Sequence, residues 1–193
     1  DRFFRLLGTE QSEKVEFVCS DMWGPYLDVV SKRAPKAVHV LDRFHIMKLM
    51  NKEIDAVRRI EVKELERDGY EPILTHARWA LLKRPENRTE KQTVKIKELV
   101  QYNLKSVKAH LQREDFQRFW EYKSPAWAGK FLDEWCTRVL RSNVEPMKKV
   151  ARTLRKHREL ILNWFKADGQ LSSGPVEGFN NKAKLTMRKA YGF

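Results

Sequence analysis

Val15-Glu16-Phe17-Val18-Cys19 and, further on, Ala37-Val38-His39-Val40-Leu41 are two short runs rich in β-branched and aromatic residues. Such runs read as buried strands. Each leads to an acid: Asp21, one residue after Ser20, and Asp42. Between them, Pro25 to Arg33 fits a short helix with Pro25 at its start, where a missing N–H costs nothing. Strand, helix, strand is the order of a parallel βαβ unit. Two strands make a poor sheet, so further strands are expected upstream of residue 1. Open α/β sheets present ligand-binding groups at the carboxyl ends of their strands, and Asp21 falls there. Taken alone, Asp21 fits a metal ligand and a turn cap before Gly24-Pro25 equally. Asp42 reads as a cap for the next helix and His45 as a hydrogen-bonding residue of its first turn, or both as accessory groups of a site.

From Ile46 onward the pattern is helical. Ile46, Leu49, Met50, Ile54, Val57 and Ile60 form one stripe of a long helix ending near Asp68-Gly69. A second helix is expected from Pro72 to Lys83, stopped by Arg84-Pro85-Glu86-Asn87. Thr89 and Gln92 have capping-box spacing and should open a helix lasting to about His110. A shorter piece follows from Glu114 to Tyr122. Ser124-Pro125 starts a helix whose Trp127, Phe131, Trp135 and Val139 recur every fourth residue as core. Asn143 is expected to cap a last helix to Phe165, with Val150, Leu154, Ile161 and Phe165 inside. Lys148, Lys149, Arg152, Arg155 and Lys156 lie on its opposite side and could track phosphates.

Lys and Arg number 39 against 26 Asp and Glu, and the formal net charge is +13. Residues 141–193 alone hold 12 basic and 4 acidic side chains. A chain this basic is drawn to polyanions, nucleic acid first. No apolar run approaches the roughly 18 residues of a membrane span, and no secretory segment opens the chain. Cys19 and Cys136 lie in different elements without C-x-x-C spacing, the pattern of reduced thiols in a cytosolic protein. The five His are scattered without the paired spacing of a zinc site. No Gly-rich phosphate loop and no Ser-His-Asp grouping is present. The absence of an initiator Met, and an end at Tyr191-Gly192-Phe193 where a helix should leave its cap, fit a piece of a larger protein.

Ser172 to Lys184 reads as a capped helix, Ser173 before Pro175 in the first turn. Val176, Phe179, Ala183, Met187 and Ala190 share one stripe, and Glu177, Asn181, Lys184 and Arg188 an adjacent one. One carboxylate beside three groups able to hold phosphates suits metal-assisted chemistry on a nucleic acid. A solvated amphipathic helix gives the same pattern.

Together these residues carry a resemblance. Val18 through Tyr26, Pro35-Lys36-Ala37 leading to Val40-Leu41-Asp42-Arg43-Phe44-His45, Glu145 through Leu154, Val176 through Lys184 and Arg188 through Phe193 resemble bacterial insertion-sequence transposases of the ISL-three family. The resemblance covers essentially the whole chain in the family's order. It implies an α/β remnant of an RNase H-like DDE core with a large all-α insertion, mostly helical by residue count. The implied parts are a partial core over 1–60, the insertion over 61–166 and a returning core helix over 167–193. By position the family's second acid falls on Asp21 and its final Glu on Glu177. Its first Asp belongs to an upstream strand, and Asp1 does not fill that place. Three carboxylates would hold two Mg2+ (or Mn2+) ions, a chemistry for which hard oxygen ligands suit.

DNA, as transposon ends and target, is the implied partner, with Lys148, Lys149, Arg152, Arg155, Lys156, Asn181, Lys184 and Arg188 as its contacts. A homo-oligomer in the full protein, no membrane, and a cytoplasmic, nucleoid-associated location complete the expectation. With two of three acids, the chain alone should be inactive. A non-catalytic helical DNA-binding module and an RNase H-like nuclease of another family remain as alternatives.

Overall fold

The computed structural model describes residues 1–169 together with Leu171, Lys182, Leu185 and Thr186. Elements run in the order α1 (Arg2–Leu7), α2 (Thr9–Glu13), β1 (Phe17–Ser20), α3 (Gly24–Arg33), β2 (Val38–Leu41), α4 (Arg43–Arg67), α5 (Arg78–Leu82), α6 (Glu90–Val100), α7 (Lys105–Gln117), α8 (Pro125–Leu140), α9 (Glu145–Lys156) and α10 (Arg158–Lys166). Short 3₁₀ turns occupy Pro85–Asn87 and Arg118–Glu121. The chain is thus mostly helical around one small sheet. It divides into a sheet unit, 1–46 with 159–193, and a helical unit, 47–158.

In the sheet unit, β1 and β2 pair in parallel with Phe17 opposite Val38 and Ser20 opposite Leu41, the expected βαβ arrangement. Val40 and Leu41 are fully buried, whereas Phe17 remains 39% exposed. Asp1 lies before α1 and not in a strand; it pairs with Arg33 at 2.8 Å and Arg5 at 3.3 Å. The amide of Asn163 on α10 donates to the carbonyl of His39 at 2.8 Å and ties that helix to β2. Gly169 follows α10 with φ +67, and a Cβ there would stand 3.2 Å from the Trp164 ring. Only glycine meets both demands without strain.

The helical unit departs from the sequence pattern at several places. Along α4 the inward stripe passes through Val57 to Glu61, 6% exposed, leaving Ile60 52% exposed. The helix expected from Pro72 shrinks to α5, because 72–77 form turns in which Leu74 and Ala77 are buried and His76 takes φ 60. Thr89 and Gln92 do form the capping box, yet α6 stops at Val100. A new helix, α7, starts at Lys105, where the buried Glu61 carboxylate accepts from the backbone N–H of Lys105 (2.5 Å) and Ser106 (2.9 Å) and from the Ser106 hydroxyl (2.5 Å). It satisfies orphan donors of that first turn as a cap would, from 44 residues away.

Further on, Trp127 sits in the first turn of α8 at 62% exposure, while Phe131, Trp135 and Val139 are buried as expected. Ser124 holds the cap position but makes no side-chain cap bond. The helix expected from Asn143 to Phe165 is two helices. Val144 takes the cap position, and the backbone turns at His157, whose N–H is shared between the carbonyls of Thr153 and Leu154.

Candidate functional site

The sheet's carboxyl edge brings Asp21 and Asp42 to neighbouring strand ends. The ladder continues past β2, since the backbone N–H of Asp42 donates to the carbonyl of Ser20 at 2.9 Å. Asp42 is 1% exposed. Its Oδ1 accepts the Phe44 N–H at 2.9 Å and its Oδ2 lies 3.4 Å from His45 Nδ1. This is the expected cap: the side chain satisfies an orphan donor at the start of α4 and orients His45.

Asp21 is only partly covered. Its Oδ1 accepts the Trp23 N–H at 3.0 Å and closes the turn into α3; among the described residues no hydrogen bond engages Oδ2. Ser20 Oγ donates to the Asp21 carbonyl at 2.8 Å and lies 2.8 Å from His39 Nε2. Burial lowers the His39 pKa, and because the single Ser20 hydroxyl proton goes to the Asp21 carbonyl, Oγ accepts from the His39 Nε2–H. The pair stiffens the backbone under Asp21. Sequence reasoning missed it, because Ser20 and His39 meet only through the register that sets Val18 opposite His39. Trp23 and Tyr26 beside the turn are both about half exposed and meet edge-to-face at 4.8 Å.

Among the described residues no three His, Cys, Asp or Glu converge as a metal site. The donor chemistry nonetheless suits a hard cation: Asp21 offers an oxygen not committed to the turn, whereas both oxygens of Asp42 already serve α4. Glu177, Asn181, Lys184 and Arg188 lie outside the described residues.

On α9 the two faces separate as expected: Met147, Val150, Ala151 and Leu154 are buried, while Lys149, Arg152, Arg155 and Lys156 are exposed and Lys148 half-covered. Glu145 tethers Arg152 at 2.9 Å and Lys148 at 3.4 Å, and those contacts, the Arg152 hydrogen bond first, hold its carboxyl below the usual range. Arg155 donates to Thr137 Oγ1 at 2.7 Å. Lys149 and Lys156 make no ion pair among the described residues. The face therefore keeps a strong positive excess.

The family model described as a transposase, of the ISL-three DDE type, matches residues 1–193. The chain belongs to this family. Among curated relatives of this ISL-three chain is the transposase for insertion sequence element IS1001 of Bordetella parapertussis, 30% identical over 193 residues. The transposase for insertion sequence element IS1557 of Mycobacterium tuberculosis is 28% identical over 213 residues. Each match covers 99% of this chain and 47% of the relative, so the chain spans about half the length of the relatives it matches. No solved structure matches the chain significantly. No helix among the described residues is long and apolar enough to cross a membrane.

Proposed function

We propose that this chain is the later part of the catalytic domain of a DNA transposase that hydrolyses a phosphodiester at transposon ends and joins the freed 3′-OH to target DNA. The observation that carries the reading is the family match across residues 1–193, with Asp21 following β1 at its carboxyl end. The sheet unit is then a remnant of an RNase H-like core, and the helices that follow α4 are its insertion. Asp21 and Glu177 serve as two of three metal-holding carboxylates, and an earlier strand supplies the third. When bound, a pair of Mg2+ or Mn2+ ions supplies Lewis-acid stabilisation of the attacking and leaving oxygens.

The chain's own residues do the rest. The Ser20–His39 pair and the Trp23 N–H hold Asp21 in place, so a carboxylate stands ready without a conformational search. The cations of α9, with Asn181, Lys184 and Arg188, bind the phosphate backbone without reading bases. The full protein acts as a homo-oligomer on nucleoid DNA in the cytoplasm. The α9 face favours one second reading, a DNA-binding module without chemistry.

A nicking assay on transposon-end DNA with Mg2+ or Mn2+ decides between them. The full-length protein should cut, Asp21→Asn and Glu177→Gln should each reduce cutting to background while DNA binding persists, and residues 1–193 alone should not cut. Cutting that survives Asp21→Asn removes the assignment. Cutting by residues 1–193 that Glu177→Gln abolishes overturns the upstream first Asp. Binding with no cutting by the full-length protein, and equal in EDTA, establishes the second reading.

A further inference from the structure

Within the helical unit, the 72–77 turns, α5 and the first turns of α6 enclose an open cleft of about 690 Å³. Arg78, Lys91 and Lys95 line it together with Trp79, His76 and Thr75, and no carboxylate does. The positive charge is not cancelled nearby. Asp55 pairs with Arg78 at 3.4 Å, but it also holds Arg58 at 3.0 Å and Arg59 at 3.5 Å, one carboxylate among three guanidiniums. Lys95 has an i,i+3 pair with Glu98 at 3.6 Å, of a surface type worth little.

Trp79 is the odd residue of α5. Its neighbours Ala80 and Leu81 are buried, while its ring is 53% exposed and adds little to the core. Arg78 Cζ lies 4.8 Å from the ring centroid, a cation–π contact. His76 stands at the cleft with φ 60, a left-handed backbone that costs a non-glycine residue energy and that clusters at ligand sites.

We propose that this cleft binds an unpaired nucleotide of a DNA strand, its base stacked on Trp79 and its phosphates held by Arg78, Lys91 and Lys95. Cations interleaved with an exposed aromatic ring make the pattern of single-strand binding, since every base has a π-face and a stacked duplex hides it. The cleft volume lies within the range of small-ligand pockets and exceeds the needs of one ion. An anionic membrane would need a broad apolar face, and a phosphopeptide brings a single phosphate where three cations line the cleft. The inference rests on the reading of the chain as a DNA-handling protein, and it adds that the helical unit holds strand distorted or melted during the reaction.

The test is fluorescence anisotropy with a fluorescein-labelled oligothymidine strand, a mixed-sequence duplex and inorganic polyphosphate as competitor. Trp79→Ala should weaken single-strand binding by about tenfold, within the range for one lost base stack, and change duplex binding less than about twofold. Trp79→Phe should restore most of the loss, which a merely structural effect on α5 would not predict. Lys91→Ala with Lys95→Ala should weaken both ligands and flatten the single-strand salt slope by about 0.7 per lost contact. A Trp79→Ala loss that is absent, or equal for strand and duplex, overturns the cleft and leaves the DNA reading standing. Polyphosphate competing as well against wild type as against Trp79→Ala shows a charge site without stacking and also overturns it. Binding to neither DNA form overturns both readings.

Discussion

The helical unit packs a connected cluster of aromatic rings inside, whereas among the described residues of the sheet unit several aromatic side chains stay at the surface. In the former, Phe116 stacks on Phe119 at 5.2 Å and meets Trp135 edge-on at 4.9 Å, and Trp120 packs on both phenylalanines. Trp135 also donates its indole N–H to the Gln112 carbonyl at 2.9 Å, so its polar atom is satisfied in the interior. In the sheet unit, two four-residue strands bury Val40 and Leu41 while Phe17, Trp23, Tyr26 and Phe44 stay 39–56% exposed. A two-stranded sheet is marginal by itself. The difference teaches that the densest aromatic packing lies in a different unit from the one that carries the candidate acid.

Core truncations should break this contrast most sharply. Trp135→Ala empties the aromatic cluster and should cost about 3–5 kcal/mol, abolishing the main helical unfolding transition at moderate temperature. Leu41→Ala should instead strip hydrogen-exchange protection from β1 and β2 while leaving that helical transition near its original midpoint. If both variants shift a single shared transition, the two regions unfold as one and the contrast fails.

Acid should act on the helical unit next. His110 is 2% exposed, its Nδ1–H donating to the Leu81 carbonyl at 2.8 Å and its Nε2 accepting from Arg88 at 3.2 Å. Burial, then the charge of Arg113 and the weaker effect of Arg88, hold its pKa down to about 4 against the opposing pull of Glu114. Between pH 6.5 and about 4 the unfolded imidazole takes a proton that the folded one refuses. Stability is therefore full above pH 6.5 and falls as the pH drops, by roughly 3 kcal/mol near pH 4. Urea melts across this range should show the slope, and His110→Gln should flatten it, isolating His110 from His39 and His157, which burial also lowers. An equal slope in the variant removes His110 as the cause.

The smallest effect concerns the long-range cap. Glu61→Ala leaves the donors of Lys105 and Ser106 without their carboxylate and should cost about 2 kcal/mol, with Glu61→Gln costing less because one acceptor oxygen remains. Amide exchange at Lys105 and Ser106 should speed up in the Ala variant. A loss below about 0.5 kcal/mol would mean that water replaces the carboxylate and that the helical unit is less tightly specified than its core implies.

Much of the fold was legible because it follows from nearest neighbours along the chain. The β-branched runs before Asp21 and Asp42 became the paired strands, Thr89 and Gln92 formed their capping box, Asp42 capped α4, and α9 sorted its cations from its apolar residues. The candidate site was legible in part: Asp21 reached the expected strand end, and Glu177 lies outside the described residues. Charged residues were the main misreading. Periodicity placed Ile60 in the core, yet Ile60 is exposed, and the charged side chains of Glu61 and Arg113, which no periodic pattern singled out, are buried.

The sequence by itself therefore determined what depends on propensity and spacing within a few residues: the strands, the helix starts with their own caps, the basic character and the family. Tertiary structure alone decided where helices end, which polar groups go inside and how the edge under Asp21 is held. A backbone donor or carbonyl without a partner in its own element must find one wherever the fold offers it. Here those partners come from far along the chain: Glu61 for the start of α7, Arg113 for the carbonyls of Leu82 and Lys83 at the end of α5, Asn163 for that of His39. Such pairings leave no periodic trace, because they are set by what lies close in space and not by what lies close in sequence.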